Sequence, residues 1–325
     1  MSLPAEYRLS PMIRAWNGPP VQMHDNQLTV LPDTVRDLVR DQFPEWRDLR
    51  IQALASQGTV NAIFRIGEEL SARFPLQPAD VGTTRRALED EAQAAHELAG
   101  RTRFPTPEPI ALGEPGRGYP LPWSVQTWIP GKIATPDEPA ASAAFAHDLA
   151  EFIRDLRAID TRGRTFRGSG RGGELKSHDA WIETCLEKSA GFLDVARLRR
   201  MWAGLRQLAR KTRDAMTHGD LIPGNVLVMH ERLAGVLDVG GFGPADPALD
   251  LVSAWHLLET GPRRQLREAL GCDDLEWQRG KAWAFQQALG AAWYYRESNR
   301  AMSHMGQVTL ERLIADEQED VSPRR

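Results

Sequence analysis

The chain has 325 residues, a formal net charge of −4, 42% apolar and 26% charged side chains. That balance is ordinary for a globular protein and excludes the strong basic excess expected of a nucleic-acid binder or of a protein held on anionic lipid. The two cysteines, Cys185 and Cys272, lack metal-ligand spacing, no apolar run reaches the ~18 residues of a membrane span, and no secretory signal is visible, so a cytoplasmic protein without nucleic-acid or membrane partners is expected.

Residues 1–22 are rich in Pro and polar side chains, have no period, and read as a tail. The first element is a helix over 32–43, with Val35, Leu38 and Val39 as its apolar stripe. Three strand-like runs follow, over 49–54, 60–66 and 70–74. Gly58 and Gly67 punctuate them, as turns between antiparallel strands would. A second helix covers 84–99, stopped by Gly100. Its apolar positions are Leu88, Ala92, Ala95 and Leu98, and Glu91 falls on that same face. A carboxylate placed there needs a cationic partner.

A Pro-rich stretch over 104–122 precedes a strand over 123–129, which Pro130-Gly131 ends. That stop reads as a boundary between an N-terminal lobe over 23–127 and a C-terminal lobe over 128–325. Helices are expected over 140–159, 177–190 and 195–212, and again from 247 to near the C-terminus. The Arg- and Gly-rich stretch over 161–173 reads as a flexible solvated loop. The fold class is therefore α+β, a small antiparallel sheet with a helix followed by a larger, mostly helical lobe.

The chemistry concentrates between Thr217 and Gly241. Two apolar runs, Val226–Val228 and Gly235–Leu237, flank a polar turn at His230-Glu231-Arg232, a β-hairpin pattern. Asn225 precedes the first strand and Asp238 follows the second, so both emerge side by side at the open end. An amide oxygen beside a carboxylate suits Mg²⁺, which takes a few protein oxygens and completes its shell with phosphate and water. Asp220, five residues before Asn225, is placed to orient or accept the proton of an attacking hydroxyl. Gly219 and Gly224 let the loop turn twice, and His218 braces it. A purely structural hairpin with turn-forming Asp and Asn would explain each residue alone, but not the joint spacing. Farther on, Asp246 before Pro247 reads as an N-cap, with Asp250 in the first turn of a helix that is apolar nearly all round.

His218-Gly219-Asp220 through Asn225, with Asp238, resembles the catalytic core of the aminoglycoside phosphotransferase family, which shares the bilobal protein-kinase-like fold. Residues 243–251 and Trp128-Ile129-Pro130-Gly131 extend the resemblance. It implies Mg²⁺ held by Asn225 and Asp238, Asp220 as catalytic base, and ATP or GTP as donor. Arg73 stands where kinases carry Lys, with Glu91 as its partner. Ser56, Gly58 and Thr59 would cover the phosphates without a GxGxxG loop, and Gln126 and Trp128 lie on the hinge strand that meets the purine. His218, Asp246 and Asp250 would support the loop. After Asp238 the sequence reads Val239-Gly240, where kinases place an aromatic before Gly.

The implied function is transfer of the γ-phosphoryl group to a small-molecule hydroxyl, with an aminoglycoside or another antibiotic among the candidate acceptors. The alternatives are a kinase of a metabolite hydroxyl and a nucleotide-binding pseudokinase, which Arg73 favours. A metal hydrolase using His218, Asp220 and Asp238 lacks a second His or Glu at ligand spacing. Residues 251–325 carry 11 acidic and 10 basic side chains, no acid excess for a polycation. Asp273, Asp274 and Glu276 read as a solvated helix start, and Trp255, Trp277, Trp283, Trp293, Tyr294 and Tyr295 as core. Oligomeric state stays open.

Overall fold

The computed structural model describes residues 13–15, 27–56 and 60–321. Its N-terminal half is built on one antiparallel sheet of six strands, ordered β1-β2-β3-β4-β6-β5. The strands are β1 (Ile13–Ala15), β2 (Ile51–Ser56), β3 (Asn61–Ile66), β4 (Leu70–Pro75), β5 (Pro109–Gly113) and β6 (Trp123–Thr127). Residues 13–15 fall in the expected tail but pair with β2, Ile13 opposite Ser56. Strand β5 lies inside the Pro-rich stretch 104–122, where no strand is expected. It is an edge strand, where a Pro such as Pro109 costs no ladder bond.

Helix α1 (Pro32–Gln42) buries Val35, Leu38 and Val39 in this sheet's core, together with Phe64, Phe74, Tyr119 and Trp123. Phe74 stacks on Trp123 with centroids 4.7 Å apart and meets Tyr119 edge-on. Helix α2 (Val81–Leu98) starts three residues before the expected position 84. The cause is a polar cap: Asp80 accepts a hydrogen bond from Thr83 N at 2.8 Å.

The C-terminal half has its own, larger apolar core. It comprises β7 (Lys132–Ile133), α3 (Ala143–Ala158), α4 (Asp179–Lys188), α5 (Val195–Leu205), β8 (Ala215–Thr217), β9 (Val226–Met229), β10 (Arg232–Val236), β11 (Gly243–Ala245), α6 (Val252–Leu257), α7 (Thr260–Leu270), α8 (Asp274–Tyr294) and α9 (Arg300–Val321). Helix α3 begins later than expected because Ser142 caps it, accepting from Phe145 N. Helix α5 ends at Leu205, short of 212. The segment after Asp246 opens as a 3-10 turn, Pro247–Leu251, and becomes α-helical only at Val252.

Strands β9 and β10 form the expected hairpin, with Met229 opposite Arg232. Its turn is two residues, His230 and Glu231, both at positive φ, the left-handed turn that matches strand twist. Helix α8 is the spine of this half, buried without a break from Arg279 to Ala292. Trp255, Trp277, Trp283 and Tyr295 are buried, and Trp293 and Tyr294 partly so, as helical spacing suggests. Among the described residues no helix is long and apolar enough to cross a membrane.

Candidate active site

Strand β8 delivers the chain to the loop that opens at His218 and β11 takes it away again, with Thr217 opposite Gly243. The intervening loops are therefore pinned at both ends. His218 is fully buried. Its Nδ1 accepts from Asp220 N at 3.3 Å, so its Nε2 carries the proton and donates to Leu237 O at 2.9 Å. Asp250 accepts from His218 N and Gly219 N, both at 2.9 Å. Burial pushes the Asp250 carboxyl up, while His218 and these two amides pull it back. Gly219 sits at φ +84, a conformation that L side chains rarely adopt.

Asp246 is also buried and fully paired. Its Oδ2 takes Arg279 Nε at 2.8 Å and Trp283 Nε1 at 2.9 Å, and its Oδ1 caps Ala248 N at 3.1 Å. Full pairing is what makes a buried ion tolerable. His218, Asp246 and Asp250 thus form a buried frame beneath the loop.

Asn225 and Asp220 are in direct contact. Asn225 Nδ2 donates to Asp220 Oδ2 at 3.1 Å and to Asp220 O at 2.9 Å. Asn225 Oδ1 is buried and has no hydrogen-bond partner among the described residues. Leu237 N donates to Asn225 O at 2.7 Å, which brings Asp238 beside Asn225 at the open end of the hairpin. Asp238 holds a left-handed backbone, φ 58 and ψ 60, uncommon for a non-glycine residue. A buried, unpartnered amide oxygen next to a carboxylate is a pair of hard-oxygen donors that fits a Mg²⁺ ion.

The other oxygen of Asp220 is closed off. Oδ1 accepts from Arg171 Nη2 at 2.8 Å and from Gln287 Nε2 at 2.6 Å. Burial raises the Asp220 carboxyl, the Arg171 charge lowers it, and Asp238 raises it further. Sequence reasoning missed both donors. Arg171 belongs to the stretch 161–173 read as a flexible solvated loop, and that reading is corrected here. The loop is tied down: Gly172 O accepts from Asp246 N at 2.9 Å, and Phe166 N donates to Asp214 at 2.8 Å. The Arg171 side chain is only 9% exposed.

On the sheet side, Arg73 of β4 is buried and ion-pairs with Glu91 of α2. Its Nη2 also lies 3.5 Å from Asp238 Oδ1. The loop after Asp238 passes so close to α2 that a Cβ on Gly240 would come within 3.0 Å of Glu91 Cγ. Gln126 lines a cavity of about 180 Å³ with Leu88, Glu91 and Val239. Trp128 is a correction in part: its N–H already donates to Glu69 O at 2.7 Å and cannot serve a purine edge. Its indole lies under the Arg65 guanidinium, 5.0 Å away. Ser56 ends β2, and nothing is described of its side chain; Gly58 and Thr59 lie outside the described residues.

A second polar cluster, His147, Asp148 and Glu151, brings its ligand atoms within 4.8 Å of one another. Its carboxylates are already neutralised: Asp148 by Arg103 and Arg232, Glu151 by Arg103.

A small antiparallel sheet set against a larger helical core, with three oxygen-bearing side chains gathered on the loop and hairpin of the helical half, is the arrangement of a kinase-like fold. The chain belongs to the phosphotransferase enzyme family, whose sequence model matches residues 50–283. It is 29% identical over 153 residues to an aminoglycoside 3'-phosphotransferase of Escherichia coli, a match covering 45% of this chain and 56% of that protein. A Salmonella typhimurium enzyme of the same name matches to the same extent. The matched stretch thus spans about half the length of these curated relatives. Among solved structures, the GDP complex of wild-type aminoglycoside 2'-phosphotransferase-IIIa has a TM-score of 0.68 at 20% identity, covering 88% of this chain and 100% of that one. Macrolide 2'-phosphotransferase MphH from Brachybacterium faecium has a TM-score of 0.53 at 18% identity, covering 84% and 97%. These likenesses establish the protein-kinase-like fold.

Proposed function

We propose that the chain transfers the γ-phosphoryl group of a Mg-bound nucleoside triphosphate, ATP or GTP, to a hydroxyl of a small molecule. The observation that carries this reading is the unpartnered, buried Oδ1 of Asn225, whose Nδ2 donates to Asp220 and whose backbone carbonyl accepts from Leu237 N, the residue before Asp238. Asn225 Oδ1 and the Asp238 carboxylate would hold the metal. When bound, Mg²⁺ supplies positive charge to the transferring phosphate oxygens.

Asp220 keeps its acceptor-facing role through the remaining lone pair on Oδ2, because Arg171 and Gln287 take up Oδ1. It orients the acceptor hydroxyl and receives its proton as the phosphoryl group moves in line. Arg73, fixed by Glu91, places a guanidinium against the α- and β-phosphates. Gln126 and the hinge backbone border the purine. By the family resemblance, Ser56, Gly58 and Thr59 would cover the phosphates. A cytoplasmic location goes with this reading, since nucleoside triphosphates are supplied there and the buried thiols Cys185 and Cys272 stay reduced.

The donor is to be tested as ATP and GTP in parallel, because a relative of this fold was solved with GDP. The acceptor panel spans aminoglycosides, macrolides and neutral metabolite alcohols. Arg171 beside the base and the balanced charge of residues 251–325 offer no concentrated field for a polycation. Arg73 in place of Lys favours a second reading, a nucleotide binder without turnover. The test is Mg²⁺-dependent release of nucleoside diphosphate with each acceptor, and mass spectrometry of the product. One phosphoryl group gained by an acceptor supports transfer; tight nucleotide binding with no turnover supports the binder.

A further inference from the structure

A buried polar chain reaches Asp220 from the far side of the helical core. Gln287 sits midway along α8 and is 4% exposed. Its amide nitrogen donates to Asp220 Oδ1 at 2.6 Å. Its amide oxygen lies 3.0 Å from His256 Nε2, on α6. The opposite ring nitrogen, Nδ1, lies 2.8 Å from Thr309 Oγ1, on α9. His256 and Thr309 are completely buried.

The chain has only one consistent direction. An ionised carboxylate accepts and never donates, so Gln287 must turn its NH₂ toward Asp220. Its oxygen then faces His256 and needs a donor, which is the Nε2–H. The imidazole is neutral, since burial holds its pKa down at about 3. Nδ1 is therefore an acceptor, and the Thr309 hydroxyl donates to it. The order of donation is Thr309, His256, Gln287, Asp220.

We propose that His256 and Thr309 are positioning residues of the transfer reaction. They lock the Gln287 amide so that Asp220 is held with Oδ1 closed and Oδ2 left to receive the acceptor proton. The inference rests on the reading of Asp220 as the base. Without the Nε2–H of His256, the Gln287 amide is free to rotate. Its oxygen would then face a carboxylate, and the repulsion would turn Asp220 away from its working orientation. Neither His256 nor Thr309 touches a substrate in this account; both act through Gln287.

The kinetic test uses Mg-ATP and Mg-GTP hydrolysis, with water as acceptor. Gln287→Leu should lower kcat by roughly 10- to 100-fold, the range for a lost hydrogen bond to a charged group. His256→Phe should lower it by about 5- to 10-fold and Thr309→Val by about 2- to 3-fold, as the effect weakens along the chain. The KM for the triphosphate should stay within about twofold, because the missing interaction acts in the transition state. The double variant His256→Phe/Gln287→Leu should be no slower than Gln287→Leu alone, because residues acting through one another are non-additive. Additive losses, or a rise in KM with kcat unchanged, overturn the positioning role. Ring ¹⁵N NMR of the unmutated protein gives an independent reading. The Nε2–H tautomer, unchanged between pH 5 and 8, is expected for His256; an Nδ1–H tautomer overturns the lock. Absence of turnover in the parent chain with water and with every acceptor of the panel would sink the transfer reading and the positioning role with it. Additive losses in an active chain would sink the positioning role alone.

Discussion

At one end of the site, Arg73 reaches from β4 to Glu91 on α2 and, more loosely, to Asp238 on the far side of the cleft. At the other end, Asp220 is ringed by Asn225, Arg171 and Gln287, each within 3.1 Å. The Asp220 end belongs to a single apolar core, with Asp246, Asp250 and His256 buried around it. The Arg73 end bridges two separate cores, and Glu91 and Asp238 each keep a quarter of their side-chain surface exposed. A rigid base and an adjustable phosphate clamp would follow from that contrast. Substitutions at the first should act on kcat, and substitutions at the second on KM.

The largest effect expected is from Asp220→Asn, which keeps the shape and removes the proposed base. Turnover should fall by roughly 10² to 10⁴, with circular dichroism unchanged. Near-parental turnover would erase the distinction between the two ends. Arg171→Gln keeps a hydrogen-bond donor and removes the charge. It should cost about 10- to 100-fold in kcat, the range for a charge-assisted hydrogen bond, with little change in KM for the triphosphate. At the opposite end, Arg73→Lys should instead raise KM for the triphosphate by about tenfold, or ~1.4 kcal/mol, and leave kcat within a few-fold. A fall in kcat from Arg73→Lys as large as that from Arg171→Gln would mean that both ends are equally rigid.

The smallest effect concerns stability rather than rate. His256 is held neutral in the fold, with its pKa lowered to about 3 by burial. The unfolded chain binds a proton there below about pH 6.5, and the folded one does not. Its contribution is therefore present above about pH 6.5 and is lost as pH falls toward the folded value. Between pH 7 and 5 that loss is ~2 kcal/mol. Urea unfolding at the two pH values should show His256→Gln with a shallower fall than the parent by about that amount. An identical slope in both proteins would show that the ring titrates normally.

The same two ends differ in how far the sequence reveals them. Asp220, Asn225 and Asp238 lie within one short loop and hairpin, and mirror symmetry about the turn is enough to place the last two together. Glu91 was legible because helical period puts it on the face of Leu88 and Ala95. Arg171 and Gln287 reach Asp220 from 49 and 67 residues away, with no period or motif to link them. Gln287 is further hidden in a helix buried all round, where a polar residue looks like an accident of composition. Strand β5 escaped for another reason: edge position excuses the Pro and Gly that otherwise signal loop. Trp128 escaped because a hinge amide can be used up by a neighbouring carbonyl, here that of Glu69, and only tertiary structure shows it.

The central claim is that Asn225 Oδ1 and Asp238 form a metal site beside the base. Mn²⁺ titration followed by electron paramagnetic resonance, with a non-hydrolysable ATP or GTP analogue present, measures it directly. The parent should bind one Mn²⁺ per chain, and Asn225→Ala and Asp238→Ala should each weaken binding by more than the ~10- to 100-fold that outer-sphere changes cost. Equal Mn²⁺ affinity in the parent and in both folded variants would contradict it.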